Sequence, residues 1–144
     1  MLNKYFDEIE VGEEWLSRGR TVTESDIVSF ASISGDWYPL HTDKEYAAKT
    51  VYKERIAHGM LILSISSGLW DLKSGIITAF YGIDKLRFTN PVFIGDTIHV
   101  KSEVLSKKSK GDNQGLITLK NGVFNQHNEI VLYSELKIMV VRKK

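Results

Sequence analysis

No cysteine occurs among the 144 residues, which excludes disulfides, thiolate nucleophiles and Cys-ligated zinc and fits a reducing compartment. Proline is nearly absent too, with two residues, and no Pro/Gly/Ser linker, internal repeat or low-complexity tract divides the chain. Residues 1–144 are therefore expected to form a single domain, of a size that buries about 68 to 70% of the surface its unfolded chain exposes. An excess of charge of one sign is also missing. Nineteen Lys and Arg against eighteen Asp and Glu leave a formal net charge of +1, so no global field draws in nucleic acid or an anionic membrane. Any anionic ligand must be met locally. No apolar run approaches the roughly 20 residues needed to cross a bilayer. The start, Met-Leu-Asn-Lys-Tyr-Phe-Asp-Glu, lacks the basic segment and apolar run of a signal peptide, so the expected location is the cytoplasm.

What is present reads as helix first and sheet after. A strand is expected over Glu14–Val22, after which Thr23-Glu24-Ser25-Asp26 supplies an N-cap with acidic first-turn residues. Ile27, Phe30, Ala31 and Ser34 recur at helical spacing, and Gly35 is suited to the left-handed conformation that ends a helix. Asp36 to His41 are expected to form a turn, because Pro39 biases Tyr38 toward an extended backbone and cannot donate to a helix. A short helix follows around Asp43 to Lys49. From His58 to Leu72 the chain is apolar nearly all round, with no charge before Asp71, so a helix there has no solvated face and must be wrapped by the rest of the domain.

The wrapping is supplied by Ile76–Phe88, Thr97–Lys107, Gly115–Asn125 and Ile130–Val141, all rich in β-branched and aromatic residues and separated by turn signals. Short connections predict that consecutive strands run antiparallel. The fold class is α+β, one antiparallel sheet curled around one central buried helix.

Two places could carry chemistry. Ser34-Gly35-Asp36-Trp37-Tyr38-Pro39-Leu40-His41 sets a carboxylate and an imidazole around a proline-fixed bend, a common pairing for acid–base work near neutral pH. The same residues also fit ordinary helix-end capping and a solvated loop. At Ala57-His58-Gly59-Met60 a helix begins, and its unpaired backbone N–H groups form a positive end that Gly59 leaves uncovered. A carbonyl docked there would find a donor for the charge its oxygen develops. His58 fits a plainer role as an N-cap or packed ring better than a catalytic one. Further along, Ser64, Ser67 and Gly68 form a small-residue stripe that close packing explains. The glycine pattern contains no phosphate or dinucleotide loop, no nucleophile elbow is present, and His41, His58, His99 and His127 lack metal-ligand spacing, so no metal and no redox cofactor is expected. Lys107, Lys108 and Lys110 read as a solvated hairpin tip.

Phe30-Ala31-Ser32-Ile33-Ser34-Gly35-Asp36, leading into Pro39-Leu40-His41-Thr42-Asp43, resembles the MaoC-like dehydratases and R-specific enoyl-CoA hydratases, whose motif reads Ser-Gly-Asp-x-Asn-Pro-x-His. Ala57-His58-Gly59-Met60-Leu61 and Phe88 to Asp96 extend the likeness over most of the chain. The resemblance implies a hot-dog domain that forms a homodimer or higher homo-oligomer. It further implies reversible hydration of a trans-2-enoyl thioester, on CoA or acyl carrier protein, to a 3-hydroxyacyl thioester. In that reading Asp36 and His41 are catalytic, the N–H of Gly59 forms the oxyanion hole, and Tyr38, Ser67 and His58 contact substrate. Tyr38 stands where the family motif has Asn, so the loop-orienting role of that Asn is not carried over. Two other readings use the same scaffold. An acyl-CoA thioesterase would want a carboxylate on or beside the central helix, which has none through Leu69. A non-catalytic acyl-thioester binding module would not need Asp36 and His41.

Overall fold

The structure is a computed structural model that describes residues 2–143. Three long strands form its centre: β4 (Thr97–Ser109), β5 (Gln114–Phe124) and β6 (Ile130–Val141), joined as successive antiparallel hairpins. On one side of this meander lie two short strands on β4, β1 (Glu14–Leu16) and β2 (Arg20–Thr21). On the other, β3 (Ile77–Phe88) pairs with β6, giving the order β1-β4-β5-β6-β3. This corrects the expectation that consecutive strands all pair: β3 and β4 lie apart, and the segment between them crosses the sheet. Helices α1 (Glu24–Ser34), α2 (Pro39–Thr42), α3 (Lys44–Ala48) and α4 (Gly59–Gly68) all precede the long strands. The α+β architecture read from the sequence is the one observed.

Inward side chains of the strands alternate with outward ones, as the period of a pleated strand requires. Ile98, Val100 and Val104 on β4, Ile117, Leu119 and Val123 on β5, and Leu132, Leu136, Ile138 and Val140 on β6 form one core with Leu61, Ile62 and Leu63 of α4. The helix is not covered all round, however. Met60, Ser64, Ser67 and Gly68 face away from the sheet and are exposed, because a single curled sheet reaches only one side of a helix. The helix also ends at Gly68, earlier than the apolar run suggests; Leu69 and Trp70 leave it and pack into the core beyond.

Local chemistry explains the other boundaries. Thr23 caps α1 reciprocally: its hydroxyl accepts from Asp26 N–H, while the Asp26 carboxylate accepts from Thr23 N–H at 2.8 Å. Arg20 grips the same carboxylate with both terminal nitrogens and holds it below the usual carboxylate range. Gly35 closes the helix at φ +75°. The expected strand over Glu14–Val22 is broken because Ser17 accepts the Val100 N–H on its hydroxyl at 2.8 Å, a side chain taking the place of a ladder carbonyl. The expected turn over Asp36–His41 contains a helical turn, α2, with Pro39 in its first position, where the missing N–H costs nothing. Tyr38 keeps the extended backbone that a following proline imposes.

The N-terminal segment is clamped to the far end of the sheet. Phe6 is buried, and the ring lies directly over Gly115 of β5, where an added Cβ would sit 2.2 Å from it. Lys107 donates to the carbonyls of Phe6 and Ile9 at 2.8 and 2.6 Å and lies 4.8 Å from the ring centre. That lysine is structural rather than a solvated tip. Arg142 pairs with Asp7 and Lys143 with Glu8, so both ends of the described chain meet here.

Candidate active site

The site lies where α2, the Asp36 loop and the start of α4 converge. Asp36 follows the Gly35 helix end, and its carboxylate accepts from Tyr38 N–H at 3.2 Å, which folds the loop back on itself. His41 rides on α2 and is half-buried. The ring Nδ1 lies 2.7 Å from the carbonyl of Ile56; a carbonyl only accepts, so Nδ1 carries the hydrogen and Nε2 is left as the basic atom. Burial is the largest influence on this imidazole and pushes its pKa below the ordinary histidine value. The Ile56 hydrogen bond opposes that shift, His58 adds to it, and Asp36 again opposes it. A neutral base near pH 7 is the result.

His58 lies beneath the pair, 2% exposed, with its ring 3.9 Å from that of His41 and 4.9 Å from that of Phe30. Ring Nε2 lies 2.9 Å from the backbone carbonyl of Asp36. The side chain makes no cap on α4, so of its two plain readings the structure takes the packed ring. Gly59 follows as the first residue of α4, where a backbone N–H has no partner within the helix. An added Cβ at Gly59 would sit 2.9 Å from the Phe88 ring, so only glycine fits without displacing that ring. His41, Gly59, Ile62, Phe88 and Asn90 line part of a cavity of about 220 Å³. The base and the helix start therefore open on one space. Gly59→Ala is expected to displace Phe88 into that space and lower turnover at least about tenfold while leaving helicity unchanged, as read by kinetics and circular dichroism together.

Ligating atoms of Asp36, His41 and His58 all lie within 4.8 Å of one another, a grouping that histidine spacing alone did not disclose. One nitrogen of each ring is already committed to a backbone carbonyl, so the three are held for hydrogen bonding as they stand. Two residues fall outside this cluster. Ser67 lies about 12 Å further along α4, exposed, and its hydroxyl donates to the Ser64 carbonyl at 2.6 Å. Tyr38 is 54% exposed; its ring is edge-on to His41 at 6.2 Å and its hydroxyl lies 3.3 Å from that of Tyr46. Tyr52, which lines the cavity wall, escaped the sequence reading because nothing local marks it.

Comparison with known proteins decides the kinship. The family model described as a MaoC like domain matches residues 8–126. The chain belongs to the MaoC-like family. Its relatives include protein MaoC of Klebsiella aerogenes, 45% identical over 100 residues that make up 68% of this chain and 30% of that protein. The (R)-specific enoyl-CoA hydratase of Rhodospirillum rubrum is 42% identical over 94 residues, 65% of each chain. The match thus spans less than two thirds of either relative. Among solved structures, one described as a monoamine oxidase regulatory protein from Archaeoglobus fulgius superposes over 100% of both chains with a TM-score of 0.93 and 39% identity. A Mycobacterium tuberculosis protein described as a double hotdogfold matches 97% of this chain and 44% of its own, with a TM-score of 0.88 and 22% identity, a likeness of fold. The MaoC-like domain is a hot-dog fold, as the motifs implied. Among the described residues no helix is long and apolar enough to cross a membrane.

Proposed function

We propose that this MaoC-like domain reversibly hydrates a trans-2-enoyl thioester to a 3-hydroxyacyl thioester, in the cytoplasm, with Asp36 and His41 as its catalytic pair. The observation that carries the reading is the His41 imidazole, fixed by Ile56, kept neutral by burial, and sharing a cavity with the unpaired start of α4. His41 Nε2 takes a proton from water as the water oxygen bonds to C3, and the electron pair moves through C2 onto the carbonyl oxygen. Gly59 N–H donates to that oxygen. Collapse of the enolate takes a proton at C2, returned by His41, so the imidazole begins and ends neutral while the Asp36 carboxylate holds the second hydrogen of the water. No metal or cofactor enters the scheme. Support from kinship comes from the Rhodospirillum relative, which is named for this reaction.

The substrate carrier is CoA or acyl carrier protein. Incubation with a panel of enoyl-CoAs and 3-hydroxyacyl-CoAs tests the reading, following the conjugated thioester absorbance and free thiol together. Loss of conjugation without thiol release supports hydration. Thiol release points instead to a thioesterase, for which α4 provides no carboxylate, and tight binding with neither change points to a binding module.

The functional unit is proposed to be a homodimer. The face of α4 turned from the sheet exposes Met60, Ser64, Ser67 and Gly68, and β3, paired on one side only, exposes Phe80 and Tyr81. A second copy would cover both, since an open edge beside an apolar rim is a surface that proteins generally bury. Sedimentation at micromolar concentration is expected to give a mass of two chains; a mass of one would count against it.

A further inference from the structure

We propose that His58 is the positioning residue of the dyad, holding Asp36 through its backbone carbonyl and His41 through its ring face. The inference rests on the hydratase reading for its catalytic meaning. His58 is 2% exposed, yet its Nδ1 has no hydrogen-bond partner among the described residues, and leaving a buried polar atom unsatisfied costs stability. An apolar ring of similar size would avoid that cost, and the surroundings, Phe30 and the apolar start of α4, would accept one. What an apolar ring cannot do is donate to the Asp36 carbonyl. Because that carbonyl only accepts, the hydrogen of His58 lies on Nε2, and the bond joins two segments separated by twenty-two residues.

The second contact is to His41. The two imidazoles lie 3.9 Å apart at an interplanar angle of 30°, so the His58 ring forms the floor on which His41 rests. One face of His41 is thus fixed by His58, and its Nδ1 edge is fixed by Ile56. Asp36 has no comparable anchor from its own side chain, which is exposed and turned to the Tyr38 amide. Its backbone N–H donates to Ser34 Oγ at 3.1 Å, a bond within its own loop, so the His58 bond is the one that ties Asp36 to the segment beneath His41.

Two substitutions divide the contacts. His58→Gln places an amide N–H where Nε2–H stands and keeps the bond to Asp36 while losing the ring. His58→Phe keeps a ring beneath His41 and loses the donor. With a trans-2-enoyl-CoA as probe, His58→Phe is expected to lower kcat about a hundredfold with KM little changed, as a misplaced dyad predicts. His58→Gln is expected to recover most of that loss. Thermal unfolding and circular dichroism of each variant establish that the fold is retained. Equal, wild-type kcat in both variants overturns the proposal, and so does a fall in His58→Phe that appears in KM alone.

A readout without substrate keeps the two proposals separable. In ¹⁵N spectra of the wild-type chain the His58 hydrogen is expected on Nε2, and the Asp36 carbonyl ¹³C signal is expected to move in His58→Phe and to stay in His58→Gln. If wild-type protein hydrates nothing but these signals behave as stated, the hydratase reading fails and the positioning of Asp36 by His58 stands. A hydrogen on Nδ1 only, or an unmoved Asp36 signal in His58→Phe, overturns the positioning role whatever the activity. Should His58→Phe fail to fold, the wild-type tautomer decides.

Discussion

Replacing His41 by Ala, or Asp36 by Asn, is expected to lower hydration of a trans-2-enoyl thioester by at least about a hundredfold while leaving the fold intact, because positioned acid–base groups contribute roughly 10² to 10⁴. Neither side chain is part of the core. Asp36 is exposed and His41 half-buried, so their loss removes chemistry and little packing. The Asn variant is the sharper of the two: it keeps the acceptor for the Tyr38 amide, and hence the loop, while removing the charge. A circular dichroism spectrum like that of wild type with lost turnover is the expected pair of results; retained turnover in either variant would move the chemistry elsewhere. The pH profile adds a second measurement. Burial lowers the His41 pKa, and only the unprotonated ring serves as base, so the acid limb of kcat/KM is expected below the ordinary value of about 6.5. Stability follows the same sign. Since the folded pKa lies below the unfolded one, the unfolded chain binds more protons between the two, and stability present above about pH 6.5 is lost as pH falls through that window. His41→Ala is expected to flatten that part of a urea-midpoint profile.

Gly115→Ala is expected to destabilise the chain by about 3 to 5 kcal/mol, the range seen when a buried phenylalanine is removed. Gly115 lies within β5, the middle strand of the meander, and the new methyl would fall 2.2 Å from the Phe6 ring. Backbone in a central strand cannot yield, so the ring must. Expelling it exposes a side chain that is 4% accessible and withdraws the carbonyls of Phe6 and Ile9 from Lys107. Urea titration reads the loss. Phe6→Ala supplies the control, since once the ring is gone the methyl at residue 115 has room, and the double variant is expected to be little worse than Phe6→Ala alone. Additive losses would mean that Gly115 is needed for some other reason.

Much of this architecture is legible along the chain because it is local. Thr23 with Asp26 and then Gly35 bound α1 through contacts within a few residues, and the alternating Val, Ile and Leu of β4, β5 and β6 mark their inward faces. The pairing of β3 with β6 is not local, and nothing in Ile77–Phe88 says which strand will lie beside it. The same distinction holds within the site. Asp36 and His41 are visible as a pair because one bend carries both, whereas the place of His58 beneath them depends on α4 docking against the Asp36 loop. Ser17 shows a third case: its hydroxyl interrupts a strand through a bond to Val100, a partner that only the folded sheet provides. Gly59 is legible as a glycine at a helix start, but the Phe88 ring that a larger residue would have to displace comes from the far end of β3.

The Phe6 clamp also bears on the order in which the molecule assembles. Its contacts join Asp7 to Arg142 and Glu8 to Lys143, so docking the first turn closes a loop of nearly the whole chain. The entropy of closing so long a loop grows slowly, by only about 0.6 kcal/mol for each doubling of length. Contacts this distant nevertheless raise the mean sequence separation of the fold, a property that slows folding. The slot for Phe6 exists only once β4 and β5 have paired, with Lys107 opposite Ile117 and Ser109 opposite Gly115. The N-terminal segment therefore cannot dock before that pairing is made, although it sits among the first residues of the chain.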